Sequence, residues 1–166
     1  MSPANQAIFD HMQKAFGKVP NLYASFAHNE TALADYLALQ NRKSTLSAKE
    51  REIINLVVSQ VNGCKYCSAA HTAVGKMVGF SDEQVLEIRR AQISFDPKYA
   101  ALATFVKETA ENKGRPSAQA YDALFEAGYN KANFIDILIV IGDKITSNYL
   151  HNITELPVDW PEIPQV

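Results

Sequence analysis

Cysteine is scarce in this 166-residue chain: Cys64 and Cys67 are the only two, which excludes a scaffold stapled by several disulfides. Charge of neither sign dominates. Sixteen basic residues stand against 18 acidic ones, the formal net charge is −2, and no long block of one sign occurs. That pattern leaves no electrostatic footprint for nucleic acid or an anionic membrane. No stretch approaches the ~18 uninterrupted apolar residues of a membrane span. The opening segment MSPANQAIFDHMQKAF lacks a basic region leading into an apolar one. The expectation is therefore a cytoplasmic protein with no membrane or nucleic-acid partner. Low-complexity tracts and internal repeats are missing as well.

What is present is an ordinary globular composition, 47% hydrophobic and 20% charged, in a length that suits one domain. A chain of this size buries roughly 70% of the surface its unfolded form exposes. Helical punctuation recurs from end to end. Ala4, Ile8, Met12 and Phe16 keep helical spacing up to Gly17, and Pro20 opens a short helix carrying Leu22, Tyr23 and Phe26. A further helix spans about 30–40. Ser47-Ala48-Lys49-Glu50 has capping-box spacing and starts a helix through Ile53, Ile54, Leu56, Val57, Val58 and Val61, apolar on more than one side and hence buried. Asn62-Gly63 breaks it, and the next helix runs from about Cys64 to Val78. Ser81, Asp96-Pro97, Pro116-Ser117 and Asn130 open four more. The last contains FIDILIVIG, too apolar all round for a monomer surface, so it fills the core or a subunit interface; Asp136 and Asp143 in it are packing or solvent-facing carboxylates. The fold class is all-α. One domain is expected over 1–166, with an N-terminal helical arm to 45, a core over 46–152 and an extended Pro-rich tail over 153–166.

Chemistry concentrates between Glu52 and His71, in the spacing E-x11-C-x2-C-x3-H. On a helix, positions 64, 67 and 71 fall within about 60° of arc, so their side chains share a face. In a reducing cytosol a CxxC is redox-active or metal-bound rather than structural, because closing so short a loop contributes little entropy. The first turn of a helix also offers unsatisfied amides and a positive dipole end, which favour thiolate over thiol. That dipole favours Cys64. His71, at i+4 from Cys67, is a directed base for Cys67, and a directed base is the more specific of the two. If the helices before and after Asn62-Gly63 form an antiparallel hairpin, Glu52 and His71 both lie roughly 12–16 Å from the bend, so Glu52 meets the imidazole and orients it. Zinc held by Cys64, Cys67, His71 and Glu52 is the structural alternative, but the spacing is not that of a zinc finger and no second CxxC exists.

Residues 46–81, LSAKEREIINLVVSQVNGCKYCSAAHTAVGKMVGFS, resemble the active-site motif of the alkylhydroperoxidase D (AhpD)-like branch of the carboxymuconolactone decarboxylase superfamily. The resemblance implies an all-α bundle that assembles as a trimer or hexamer. It also implies thiol-dependent reduction of hydroperoxides, with Cys67 peroxidatic, Cys64 resolving, His71 the base and Glu52 the acid end of a proton relay. An external dithiol or lipoyl partner would reduce the resulting disulfide, and no metal, flavin or other cofactor is needed. Tyr66 stands where the best-known members have a histidine between the cysteines; it can hydrogen-bond a sulfur or a water but is a poor base near neutral pH. Two alternatives remain: a lactone-acting enzyme using Glu52 and His71 with the dithiol incidental, and a non-catalytic redox-sensing or zinc-binding helical module.

Overall fold

The computed structural model describes residues 1–166 and contains helices only. In chain order they are α1 (Pro3–Phe16), α2 (Asn21–Phe26), α3 (Ala32–Gln40), α4 (Ala48–Val61), α5 (Lys65–Met77), α6 (Asp82–Arg90), α7 (Pro97–Glu111), α8 (Ala118–Glu126) and α9 (Lys131–Thr154). Most starts follow from capping chemistry. Ser47 accepts from the Glu50 amide while the Glu50 carboxylate takes the Ser47 amide, and Ser81–Gln84 and Asn130–Asn133 repeat the reciprocal arrangement. Asp96 caps α7 by accepting from the Lys98 and Tyr99 amides.

Helix α4 is the axis of the molecule, in contact with α5, α6, α7 and α9. An unbroken buried run from Glu52 to Ser59 lets it serve all four neighbours. Ile53, Ile54, Leu56, Val57 and Val58 meet Val85 and Ile88 of α6, Leu102, Phe105 and Val106 of α7, and Ile137 and Ile141 of α9 in one apolar core. At Gly63, with φ 62°, the chain turns back, and the Cys64 amide donates to Ser59 O at 3.0 Å, so α5 returns antiparallel along α4.

Helix α9 changes character along its length. Its first half gives Ile137 and Ile141 to the apolar core, whereas its second half turns Lys144, Ser147, Asn148 and His151 inward, all buried. Its outer side leaves Ile135, Leu138, Tyr149 and Ile153 exposed. The helix continues to Thr154, a turn beyond the ending near Leu150 expected from the sequence. No helix is long and apolar enough to cross a membrane.

Asp136 is buried and is a packing carboxylate rather than a solvent-facing one. It accepts from Arg42 Nη1 (2.6 Å), the Thr45 amide (2.6 Å) and the Thr45 hydroxyl (2.7 Å), and so ties the α3–α4 loop to α9. Burial alone would raise its pKa, but these Thr45 and Arg42 contacts outweigh burial and pull it down to about 2. A depressed folded-state pKa contributes stability above the unfolded value near 4, and that contribution is lost as pH falls towards about 2. Asp136→Ala should lower stability at pH 7 by on the order of 2 kcal/mol in urea unfolding, because the Thr45 donors lose their acceptor. The variant should also lose less stability than wild type between about pH 4 and pH 2; parallel pH profiles would refute the assignment.

Candidate active site

Cys64 is the N-cap of α5 rather than its first helical residue, because its sulfur takes the place an oxygen usually has: the Cys67 amide donates to Cys64 Sγ at 3.2 Å. Both cysteines are free and buried. Around Cys67 stand Cys64, Ser147, with Oγ 4.0 Å from Cys67 Sγ, and the α9 residues Lys144 and Asn148.

The two thiols diverge in acidity. A hydrogen bond from Cys64 to the Cys67 sulfur holds Cys67 below the ordinary cysteine value against the opposing effect of burial, with help from the Lys144 charge and Asn148. Cys64 moves the other way, raised first by that same hydrogen bond and then by burial and the nearby Cys67 charge. One amide does favour charge on Cys64, but a single N–H is outweighed by the groups gathered on Cys67. The groups gathered at the pair therefore favour charge on Cys67 over charge on Cys64.

Glu52, on α4, and His71, on α5, meet across the hairpin, with Glu52 Oε2 2.8 Å from His71 Nδ1. Asn55 Nδ2 donates to the other carboxylate oxygen at 2.9 Å. Burial raises the Glu52 pKa, yet the His71 hydrogen bond, the Lys144 charge and Asn55 together bring it below the ordinary value. With a carboxylate at Nδ1, that nitrogen carries the proton, and Nε2 is left as an acceptor. Its partner is Lys144 Nζ at 2.9 Å. The imidazole is thus engaged at both nitrogens, by Glu52 and Lys144, and its hydrogen bonds do not run to Cys67.

Tyr66 also finds partners other than sulfur. Its hydroxyl donates to Asp159 Oδ1 at 2.6 Å and accepts the Leu22 amide at 3.3 Å, which pins the C-terminal tail and α2 over the dithiol. Burial and the Asp159 carboxylate push its pKa up. Lys18 and the Asn21 amide bind Asp159 too, and Lys18 lies over the Trp160 ring, 4.4 Å from its centre.

A cavity of about 190 Å³ reaches Cys67, Lys144 and His71 between walls that include Leu22, Val74 and Trp160. A second, of about 310 Å³, touches His71 from the other side, where Glu52, Asn55, Arg42, Arg51 and Asp143 line it. Lys144, Ser147, Asn148 and Asp159 carry no motif. The sequence signal for the three on α9 is the recurrence of polar residues at spacings of three and four, 144, 147, 148 and 151, along one face of the helix; Asp159 has none.

Tyr66→Phe removes the anchor shared by α2 and the tail and leaves the buried Leu22 amide and the half-buried Asp159 carboxylate each short of a partner. The expected cost is on the order of 2 kcal/mol, a few degrees in Tm, together with severalfold faster alkylation of the dithiol by a maleimide. An unchanged alkylation rate would show that Tyr66 does not hold the site closed.

Residues 27–108 match the carboxymuconolactone decarboxylase family. No curated protein sequence matches the chain. Among solved structures, a peroxidase-related protein from Silicibacter sp. TM1040 aligns with a TM-score of 0.85 at 25% identity, over 95% of this chain and 87% of that one. A peroxidase-related protein from Ralstonia eutropha JMP134, described as an alkylhydroperoxidase AhpD core, aligns at 0.86 and 20% identity, over 96% and 87%. The debrominase Bmp8 shares the fold at 0.79 and 16% identity, over 95% and 87%. Read with the all-helical architecture and the CxxC at its centre, these matches give the chain a segment similar to the carboxymuconolactone decarboxylase family, residues 27–108, within a fold shared with AhpD-like proteins.

Proposed function

We propose that this enzyme is a thiol-dependent peroxidase that reduces hydroperoxides through a Cys67/Cys64 dithiol–disulfide cycle, with the Glu52–His71 pair, hydrogen-bonded on to Lys144, forming the proton-handling chain beside Cys67. The observation that carries this reading is the asymmetric placement of the dithiol: Cys67 borders a chamber with Lys144 and His71 while Cys64 opens on a separate groove, and the groups around the pair favour charge on Cys67, the starting condition for one sulfur to attack and the other to resolve.

The cycle balances without a cofactor. The Cys67 thiolate attacks the terminal peroxide oxygen, the O–O bond breaks as an S–O bond forms, and the departing alkoxide takes up a proton to leave as alcohol. Cys64 condenses with the resulting sulfenic acid, giving a disulfide and water. An external dithiol or lipoyl-type reductant then accepts the disulfide by exchange and restores both thiols. The cavity at Cys67 supports an organic substrate, since about 190 Å³ exceeds the ~150 Å³ that holds a benzene ring. A homo-oligomer belongs to the same proposal, supported by the exposed Ile135, Leu138, Tyr149 and Ile153 on α9. Lactone chemistry by Glu52 and His71 is less well supported, because both imidazole nitrogens already have partners inside the protein.

The test is hydroperoxide consumption with a dithiol reductant. Cys67→Ser should abolish turnover, whereas Cys64→Ser should consume one equivalent per chain and stop. Equal retention of activity in both variants, or activity that survives alkylation of both thiols, would refute the cycle.

A further inference from the structure

Lys144 is the least expected residue of the site. It is a lysine 2% exposed in the interior, on the face of α9 that closes over the dithiol. A buried ammonium costs several kcal/mol unless it is paired and hydrogen-bonded, so its surroundings explain why it persists. Its Nζ meets His71 Nε2 at 2.9 Å, and beyond the ring lies the Glu52 carboxylate, 2.8 Å from Nδ1. The carboxylate fixes the tautomer, the tautomer presents a lone pair, and the lone pair holds the ammonium by one N–H, leaving its other two hydrogens free.

The two ends of this chain open on different spaces. Glu52 and Asn55 line the larger and more polar of the two cavities, whereas Lys144 lines the chamber that holds Cys67. His71 borders both, but each of its nitrogens is taken. Besides Lys144, the only other lysine or arginine on the Cys67 chamber is Lys18, whose ammonium is turned to Asp159. No Asp or Glu borders the chamber. The Tyr23 and Tyr66 hydroxyls that also border it give their hydrogens to Gln40 Oε1 and Asp159 Oδ1, so a proton required inside it has one well-placed source in Lys144.

Attack by Cys67 creates that requirement. When the thiolate takes the terminal oxygen of an alkyl hydroperoxide, the O–O electron pair leaves on the distal oxygen as alkoxide, a strong base stranded in a largely apolar chamber. We propose that Lys144 is the general acid of the reaction, giving its proton to the departing alkoxide, and that Glu52 and His71 are the positioning residues that hold its ammonium in place; this role rests on the peroxidase function proposed above. Lys144 is left neutral and regains a proton from solvent once the alcohol has gone. The same positive charge, before the step, favours the Cys67 thiolate. His71 on this assignment is the acceptor that aims Lys144, not the base that deprotonates Cys67.

The experiment compares two oxidants that differ in need for an acid. tert-Butyl hydroperoxide expels an alkoxide that must be protonated; peracetic acid expels acetate, which needs no proton. Oxidation of Cys67 is followed by stopped flow in wild type, Lys144→Met and Lys144→Gln. The expected loss in the variants is about 10²–10³-fold with tert-butyl hydroperoxide and under about tenfold with peracetic acid. The ratio of the two rates cancels any change in thiolate fraction, so a residue acting only on the thiolate or on packing would slow both oxidants equally, and that result overturns the proposal. Should both variants fail to fold, wild type decides alone: across substituted hydroperoxides its rate constants should depend weakly on the pKa of the leaving alcohol, and a steep dependence overturns the proposal. Wild type that oxidises Cys67 with peracetic acid but not with any alkyl hydroperoxide refutes the peroxidase function itself, and the acid role with it.

Discussion

A buried positive charge in the middle of a small helical protein sets the terms for everything near it. Lys144 comes from α9, His71 from α5 and Glu52 from α4, so one hydrogen-bonded chain joins the three helices whose packing forms the site. Remove the carboxylate and the imidazole loses its fixed tautomer; remove the imidazole and the ammonium loses its acceptor. Cys67 lies beside this chain, and the Lys144 charge contributes to its acidity. The polar half of α9 exists to meet that need, which is why the helix stops being uniformly apolar inside after Ile141.

Closure of the site is a separate matter and depends on Tyr66. Sitting between the two cysteines, it hydrogen-bonds α2 through the Leu22 amide and the tail through Asp159, so the dithiol sequence itself carries the latch for the segments that cover it. The tail is held along its length: His151 Nε2 lies 3.1 Å from Leu156 O, Asn21 Nδ2 donates to Pro157 O at 3.0 Å, and Arg89 Nη1 donates to Pro164 O at 2.7 Å. Trp160 of that tail borders both the Cys67 chamber and a groove of about 720 Å³ beside Cys64. The two sulfurs therefore face different spaces, a separation that suits the proposed cycle, in which one meets the oxidant and the other resolves it.

Local signals made the helices legible in advance. Capping boxes at Ser47, Ser81 and Asn130 and the Asp96-Pro97 start need only a few adjacent residues, and those residues do in the structure what their chemistry favours. The approach of Glu52 to His71 was legible too, since a tight turn at Asn62-Gly63 and a rise of about 1.5 Å per residue fix which positions on α4 and α5 stand level. Lys144 was not. It lies 73 residues from His71 in sequence, and no local rule brings α9 to the hairpin. Asp143 and Asp136 show the same limit: in sequence each is a carboxylate in an apolar helix, and only the arrival of Gln40 and of Arg42 with Thr45 explains their burial. Tyr66 could be placed at the dithiol by its number, but its partner 93 residues away could not.

In the proposed cycle Cys67 is the sulfur that takes the peroxide oxygen. The most direct measurement is to treat reduced Cys64→Ser protein with one equivalent of tert-butyl hydroperoxide in the presence of dimedone and to map the adduct by peptide mass spectrometry. A stoichiometric dimedone adduct on Cys67 is the predicted result. Recovery of Cys67 as unmodified thiol, with the hydroperoxide unconsumed, would contradict it.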